Sequence, residues 1–464
     1  IPFTLGARFN DHRETRTTGA GAGYTYGGGT RTISVAGVTL APIGATGVTR
    51  GAFSDQPFAT TGQQAVVTDK WTGRILAEYT PHLDSTDQTM IYASASRGEL
   101  AGGLNVSNNG QSIVGLLYKP ATVDSLELGT KNMFLDGMLK ADLTAWYYNY
   151  QNYQVGLIVN GSNTTLNVPA RLWGVENEMA WEPIEGLSFN LSLSLTDSRI
   201  GNAAIVDPRN PGNGDPNAIV IKDLTTGENC VVTRTTAAPT ATPASAGVPG
   251  FYTPLPISAA NPTGSTNQDA GAGVPWVNFG RCSVNGIQSA QATTIAATSA
   301  QPIPHTVANT AAKTNQQLLA AAGFTYTTLP GGTSPDGIGI AKNLRGNQLP
   351  QVPRAQIGIG AQYIFDLDNQ FTLVPRIDYY WQTAMESRVW NDPGIDSIPG
   401  WGVMNLGLQL NAPDGKWYGR LFVTNLLDSR NETGQYLQDA IAGLYTNVFV
   451  ENPRVIGVSL GASF

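Results

Sequence analysis

Residues 187–196 read LSFNLSLSLT and alternate apolar and polar side chains without a break. The apolar side chains of this stretch fall on one face: Leu187, Phe189, Leu191, Leu193 and Leu195. The other face carries only serine, asparagine and threonine. A period of two residues predicts a β-strand with one apolar and one polar surface.

The same alternation recurs along the chain and predicts about twelve strands. They lie near residues 1–10, 71–80, 88–97, 124–133, 138–150, 172–182, 186–198, 354–365, 370–382, 401–410, 416–427 and 453–464. Most exceed the ~5–6 residues of an ordinary globular strand. They match the ~9–11 residues of a tilted strand that crosses a bilayer, and polar faces of serine, asparagine and threonine suit a wet lumen. Pro375 cannot donate to a ladder, so we expect a bulge there or a later strand start.

The predicted connections alternate in length. Short turns at 81–87, 134–137, 183–185, 366–369 and 411–415 separate long connections at 11–70, 98–123, 151–171, 199–353, 383–400 and 428–452. Transmembrane barrels have short periplasmic turns and long external loops. The predicted fold is therefore an all-β, antiparallel up-and-down transmembrane barrel. Residues 1–198 supply seven strands, 199–353 a long extracellular loop insertion, and 354–464 five strands.

Composition excludes several classes of function. The 464 residues are 13 % charged, with a net charge of −7 and no basic stripe for a nucleic acid. Two cysteines and three histidines give no zinc framework. No catalytic triad, phosphate-binding loop or calcium loop stands out, and Asp207-Pro208 and Asp392-Pro393 are interpreted as turns. We expect no enzyme activity, no cofactor and no metal.

Three motifs resemble those of the TonB-dependent outer-membrane receptors. Residues 91–105 (IYASASRGELAGGLN) and 127–137 (ELGTKNMFLDG) resemble two of the family's barrel segments, and 423–428 (VTNLLD) resembles its penultimate strand. The alternating end of the chain is similar to the C-terminal assembly signal of outer-membrane barrels: Ile456, Val458, Leu460, Ala462 and Phe464. The order and spacing of these motifs are more specific than any one of them.

The resemblance implies a 22-stranded barrel with a plugged lumen, of which this chain would supply the C-terminal part. The remaining strands, the plug and the segment that contacts the TonB-type energy-coupling complex are then expected upstream of Ile1. It further implies the outer membrane of a Gram-negative cell, with lipid, lipopolysaccharide and the barrel-assembly machinery as partners. The implied function is energised uptake of a scarce nutrient as a small-molecule ligand, most often a ferric siderophore complex.

Three alternatives stay open. The chain could be a passive porin or a surface interaction or structural barrel. It could also form a small closed barrel, in which residues 1–10 would pair with 453–464.

Candidate site residues follow from position. Trp146, Tyr148, Asp378 and Tyr380 are predicted near the outer mouth, where they could receive a ligand; contact with a plug or water is the alternative. The polar side chains predicted to face the lumen are Arg8, Arg74, Glu78, Glu127, Lys131, Asp142, Glu176, Glu178, Arg376 and Asp378. Cys230 and Cys282 are the only cysteines. Because the outside of such a cell is oxidising, we expect them to form a disulfide.

Overall fold

Twelve long strands form one continuous antiparallel sheet in the computed structural model. The structure describes residues 2–18, 34–35, 38–39, 62–105, 117–159, 162–222, 229–234, 287–288, 313–314, 316, 320, 324–328, 336–413, 415–438, 440 and 442–462. The strands are β1 (Phe3–Thr18), β2 (Gly62–Tyr79), β3 (Gln88–Leu100), β4 (Ala121–Phe134), β5 (Leu139–Val159), β6 (Ser162–Ile184), β7 (Leu187–Ile200), β8 (Ala355–Tyr363), β9 (Thr372–Gln382), β10 (Trp401–Asn411), β11 (Trp417–Thr424) and β12 (Val455–Ala462). Each pairs with the next in chain order, which confirms the predicted all-β, up-and-down architecture.

Short elements occupy the connections. Two-residue ladders join Ser34–Val35 to Val38–Thr39, Gly103–Leu104 to Leu117–Tyr118, Ala204–Ile205 to Lys342–Asn343, Ile287–Gln288 to Lys313–Thr314, and Met385–Glu386 to Ser397–Ile398. Longer ones join Ala218–Lys222, Asn229–Arg234 and Phe324–Tyr326, and Glu432–Leu437 to Thr446–Val450. Phe365–Asp366 pairs with β9, and Asp368–Gln370 forms a 3-10 turn. None of the helices in the described ranges is long and apolar enough to span a membrane.

The register sorts side chains onto two faces of the sheet. Residues directly opposite each other in an antiparallel pair point to the same side. One face carries apolar side chains that are strongly exposed, such as Leu5 (77 %), Leu128 (59 %) and Leu460 (80 %). Such exposure is costly in water but suits contact with lipid. We call this the apolar face and the opposite one the polar face.

β5 and β6 are longer than the sequence predicts. Residues 151–171 were expected to form a loop, and that expectation is wrong, because the two strands stay paired from Trp181↔Leu139 to Ser162↔Val159. Val155 and Val168 of these extensions are buried against Leu344, Leu349 and Trp390. The residues that pack against these extensions are distant in the sequence, so no pattern within residues 151–171 could predict the contacts.

Pro375 lies inside β9 without a bulge. It faces Leu408 in an unbroken register with β10. On the other side, pairing stops after Gln362↔Arg376 and resumes at Phe365↔Leu373. The missing N–H of Pro375 is accommodated by this gap in one ladder. The expected bulge is absent, and β9 begins at Thr372, two residues later than predicted but still before Pro375.

The two ends of the sheet do not meet. β1 pairs with β2 and β12 with β11, and among the described residues neither has a second partner in the sheet. Within the described parts of these segments, residues 2–10 therefore do not pair with 453–462, as the small closed barrel required.

Glycines on the polar face make room for large side chains of adjacent strands. A Cβ at Gly129 would lie 2.5 Å from Cε1 of Tyr92, and one at Gly457 would lie 2.3 Å from Cζ of Phe422. The Tyr92 hydroxyl thereby reaches across β4 to within 2.8 Å of Thr144 Oγ1. This arrangement, in which an aromatic ring covers a strand glycine, pins the register of the sheet.

Candidate functional site

The register places the predicted lumen residues on one side of the sheet. The chain of facing pairs runs from Arg74 through Ser96, Ser125 and Tyr148 to Leu172. Followed across all twelve strands, it assigns every one of the following to the polar face: Arg8, Arg74, Glu78, Glu127, Lys131, Asp142, Glu176, Glu178, Arg376 and Asp378.

An aromatic–acidic cluster lies on the polar face of β5. The rings of Trp146 and Tyr148 stack with centroids 4.5 Å apart and planes 27° apart. Trp146 Nε1 donates to Glu176 Oε1 on β6 at 3.1 Å, and Tyr148 donates to Glu127 Oε1 on β4 at 3.3 Å. Two carboxylates on the flanking strands thus fix the rings from both sides.

A second cluster is centred on Arg376 of β9. Its guanidinium donates to both Asp378 oxygens at 2.9 and 2.6 Å, to Gln362 Oε1 at 3.1 Å and to Asn190 Oδ1 at 3.3 Å. Further along the strand, Tyr380 donates to Gln382 Oε1 at 2.9 Å. Both the cation and the anion of this cluster remain about 40 % exposed.

The structure brings the four predicted ligand residues together only in pairs. Trp146 is near Tyr148 on β5, whereas Asp378 and Tyr380 lie on β9. Four strand steps separate β5 from β9, or about 19 Å at ~4.8 Å per step. The two pairs are separate surfaces of one wall.

A buried charge network, which sequence reasoning missed, lies in the connections beyond the strands. Arg388 donates to Asp396 at 2.6 Å and to Asp207 at 2.8 Å, and lies 3.5 Å from Asp392. Asp392 also pairs with Lys342. The side chains of Asp396, Asp207 and Arg388 are 0, 2 and 10 % exposed. The network ties the β7–β8 connection to the β9–β10 connection.

Two aspartates of this network have pKa values that are shifted in opposite directions. Burial and the neighbouring Asp392 carboxyl raise the pKa of Asp207, against the lowering influence of Arg388. For Asp392, burial acts to raise the pKa, but contacts with Asp207, Lys342 and Arg388 outweigh it and lower the pKa overall. The opposite shifts make Asp207 the carboxyl of the two that holds a proton more readily.

Two predictions fall partly or wholly outside the described residues. Cys230 is buried and has no disulfide partner among those residues, and its Sγ lies 3.7 Å from the Ile221 carbonyl oxygen. Cys282 lies outside the described ranges, so the disulfide stays a prediction. Phe464 also lies outside them, whereas Ile456, Val458 and Leu460 are 68 to 80 % exposed on the apolar face. No group of three or more His, Cys, Asp or Glu able to hold a metal occurs in the described part of the chain.

Comparison with protein families gives a match over most of the chain. The family described as "TonB dependent receptor-like, beta-barrel" matches residues 2–426. The chain belongs to the TonB-dependent receptor β-barrel family. This is a family of receptors and transporters rather than enzymes, and membership implies an outer-membrane β-barrel. The resemblance predicted from the sequence motifs is confirmed.

Several solved structures are similar to this TonB-dependent receptor barrel. They align with most of the chain, at low sequence identity. The ferric yersiniabactin uptake receptor FyuA from Yersinia pestis has a TM-score of 0.47 and 14 % identity, covering 86 % of this chain and 38 % of its own. The siderophore receptor PiuA from Acinetobacter baumannii gives 0.45 and 13 %, covering 87 % and 37 %. The ferric-catecholate import receptor Fiu from K12 E. coli gives 0.44 and 13 %, covering 99 % and 41 %. The chain thus spans about two fifths of the length of these receptors. Comparison with curated proteins gives no match.

Proposed function

We propose that this chain forms part of the wall of an outer-membrane receptor that takes up a scarce nutrient, a ferric siderophore complex, with energy from a TonB-type complex. The observation that carries the proposal is the family match over residues 2–426. It coincides with a sheet whose polar face suits a lumen and whose apolar face suits lipid. Under this proposal the sheet is completed by further strands that pair with β1 and β12 and surround a plug.

The Trp146–Tyr148 pair is the better candidate for ligand contact. A stacked pair of rings offers a flat surface to a planar group of a chelate. The rings are held by Glu127 and Glu176, so their orientation is set before a ligand arrives. Arg376, with Asp378 beside it, would offer donors elsewhere on the same wall, while Tyr380 lies further along β9.

The test measures uptake by cells that produce the full-length receptor. Radiolabelled ferric hydroxamate and catecholate chelates, cobalamin and oligosaccharides are supplied with and without an intact proton gradient. We expect accumulation of one ferric chelate that stops when the gradient is dissipated. Uptake that continues without the gradient would instead support the passive porin.

Paired variants test the site. Replacing Trp146 and Tyr148 together by alanine should weaken ligand binding about tenfold, since each ring contact is worth ~0.5–1.5 kcal/mol. Tyr147→Ala is the matched control, because Tyr147 lies on the same strand but faces Trp173 on the apolar face. Equal binding by the double variant and the control would reject the aromatic pair as a ligand surface.

A further inference from the structure

The apolar face of β6 has a defined outer limit. From the short-turn end outward, its residues are Trp181, Met179, Asn177, Val175 and Trp173. Trp181 packs against Phe189 at 5.7 Å, and Trp173 faces Tyr147. The one polar member, Asn177, donates to the Asp142 carbonyl at 3.0 Å. Aromatic side chains at both ends of such a column mark the two membrane–water interfaces.

The length of this column fits a bilayer. The eight residue steps from Trp181 to Trp173 span about 26 Å along the strand at ~3.3 Å per step. A strand tilt of ~40° reduces that to about 20 Å, close to the ~25 Å apolar band of outer-membrane barrels. The headgroups of the outer leaflet would then lie one row of residues beyond Trp173.

Charged residues are concentrated in that next row; the row of Trp173 itself holds one, Asp197 of β7, which faces Trp173. Facing pairs place Arg97, Asp124, Asn149, Arg171 and Arg199 side by side across five strands of the apolar face. The positive charges of this row are balanced by acidic side chains at one end more than at the other. Arg97 donates two hydrogen bonds to Asp124, at 2.5 and 2.8 Å, so that end carries no net charge.

The other end of the row opens into a cleft of about 790 Å³ that contains three arginines, Arg171, Arg199 and Arg345. Among the described residues, only Arg199 of these three has an acidic partner, Asp197 at 3.1 Å, and it also donates to the Gly346 carbonyl at 3.4 Å. Within the described residues, the guanidinium groups of Arg171 and Arg345 take part in none of the ion pairs or side-chain hydrogen bonds. The cleft therefore carries a net charge of about +2, and Asn149 and Asn202 add amide donors to its lining.

We propose that this cleft binds the phosphate groups of a phosphorylated glycolipid in the outer leaflet. Guanidinium groups match phosphate oxygens in charge and in geometry. A lipid is favoured over a soluble anion because the cleft lies directly beyond Trp173 and Val175, along which acyl chains would lie. The site is on the outside of the wall and does not depend on which nutrient passes through the lumen.

The test uses the full-length receptor in detergent, with hexa-acylated lipid A as the probe. The same glycolipid without its phosphates and inorganic phosphate alone are the comparison ligands. We expect lipid A to bind and to stabilise the receptor against heat, and the dephosphorylated glycolipid to bind at least about tenfold more weakly. Millimolar inorganic phosphate should not displace lipid A.

Three variants complete the experiment. The double variant Arg171→Gln and Arg345→Gln should lose at least about tenfold in affinity, since each arginine near an anionic headgroup is worth ~1 kcal/mol. The double variant Arg171→Lys and Arg345→Lys keeps both positive charges and should retain most of the affinity. A loss seen only in the glutamine variant can then be assigned to the missing charge and not to misfolding. Arg97→Gln is the matched control, since Arg97 lies in the same row but is neutralised, and it should bind as the unaltered protein does.

Several outcomes would overturn the proposal. Unchanged affinity in a folded glutamine variant, or equal affinity for the dephosphorylated glycolipid, would show that the arginines do not bind the phosphate groups. Displacement by inorganic phosphate would assign the cleft to a soluble anion. An equal loss in Arg97→Gln would indicate a general surface-charge effect.

Discussion

At the scale of single residues, Arg388 pairs with more acidic side chains than any other basic residue in the described part of the chain. Its guanidinium faces three aspartates, Asp207, Asp392 and Asp396, two of which are almost fully buried. A buried charge is tolerated only while it is paired. Arg388 is therefore the point at which the β7–β8 and β9–β10 connections are joined.

Arg388→Met should release these connections while leaving the sheet intact. Removing one partner of a buried ion pair costs ~3–5 kcal/mol, because the remaining charges lose their compensation. Hydrogen exchange should rise in residues 200–207, 342–349 and 385–398. Arg430→Met, at an exposed position, should leave exchange unchanged; protection that survives in Arg388→Met would contradict the assigned role.

The same network should respond to pH through Asp207. Its raised pKa means that the folded state holds a proton that the unfolded chain has already released, so stability falls as pH rises from about 4, the unfolded pKa, to the raised folded value. Protection of the Leu344 amide, corrected for intrinsic exchange, should decline over this interval. The decline should be absent in Asp207→Asn and retained in Asp84→Asn, which alters an exposed turn. A decline of equal size in Asp207→Asn would assign it to another group.

At the scale of elements, the strands were predictable and the outer ends of two of them were not. Alternation is a local signal, and all twelve predicted segments, including 187–196, are strands of the sheet. Residues 151–159 and 162–171 are strand because Val155 and Val168 meet Leu344 and Trp390, which lie more than 170 residues further along the chain. No pattern within the segment encodes those contacts.

The same limit on prediction from sequence, that only local patterns are visible, applies to the candidate site. Trp146 and Tyr148 could be paired from sequence because they are two residues apart on one strand. Asp207-Pro208 and Asp392-Pro393 could be interpreted only as turns, since their meeting at Arg388 is set by how two connections fold together. The single available signal was an arginine and three aspartates in connections that are otherwise poor in charge.

Register within the sheet should depend on the glycines under aromatic rings. Gly129→Val places bulk against Tyr92, whose ring lies 2.5 Å from the position of the new Cβ, and breaks the contact with Thr144. Overpacking of this kind costs ~1–3 kcal/mol, so the urea midpoint of unfolding should fall. Gly6→Val is the control on the same face, because nothing lies within 4 Å of its Cβ position. An equal effect of the two substitutions would reject the role of the ring.

Phe464 should act in assembly. In the sequence it continues the alternation of Ile456, Val458 and Leu460, which are exposed on the apolar face of β12, and this chain end resembles the signal that the insertion machinery recognises. Deleting it should lower the amount of receptor in the outer membrane, measured on purified membranes, without altering the midpoint of unfolding of the inserted fraction. Insertion at the normal level would refute this role.

At the scale of the whole molecule, one division explains most features of the chain. Apolar side chains lie on one face, polar and charged side chains on the other, and the larger connections gather beyond one end of the strands. A column bounded by Trp181 and Trp173 gives the apolar face the height of a bilayer. The charged row and the arginine cleft then fall at the outer headgroups, and the Arg388 network lies among the connections beyond them.

The central claim is that the apolar face of this sheet contacts lipid while the polar face contacts the lumen. Single cysteines at positions 191 to 195 of β7, introduced into the full-length receptor after replacement of Cys230 and Cys282, can carry a nitroxide spin label in bilayers. Labels at 191, 193 and 195 should collide mainly with oxygen dissolved in lipid, and those at 192 and 194 mainly with a water-soluble nickel chelate. Accessibility without a period of two, or with the two sets exchanged, would contradict it.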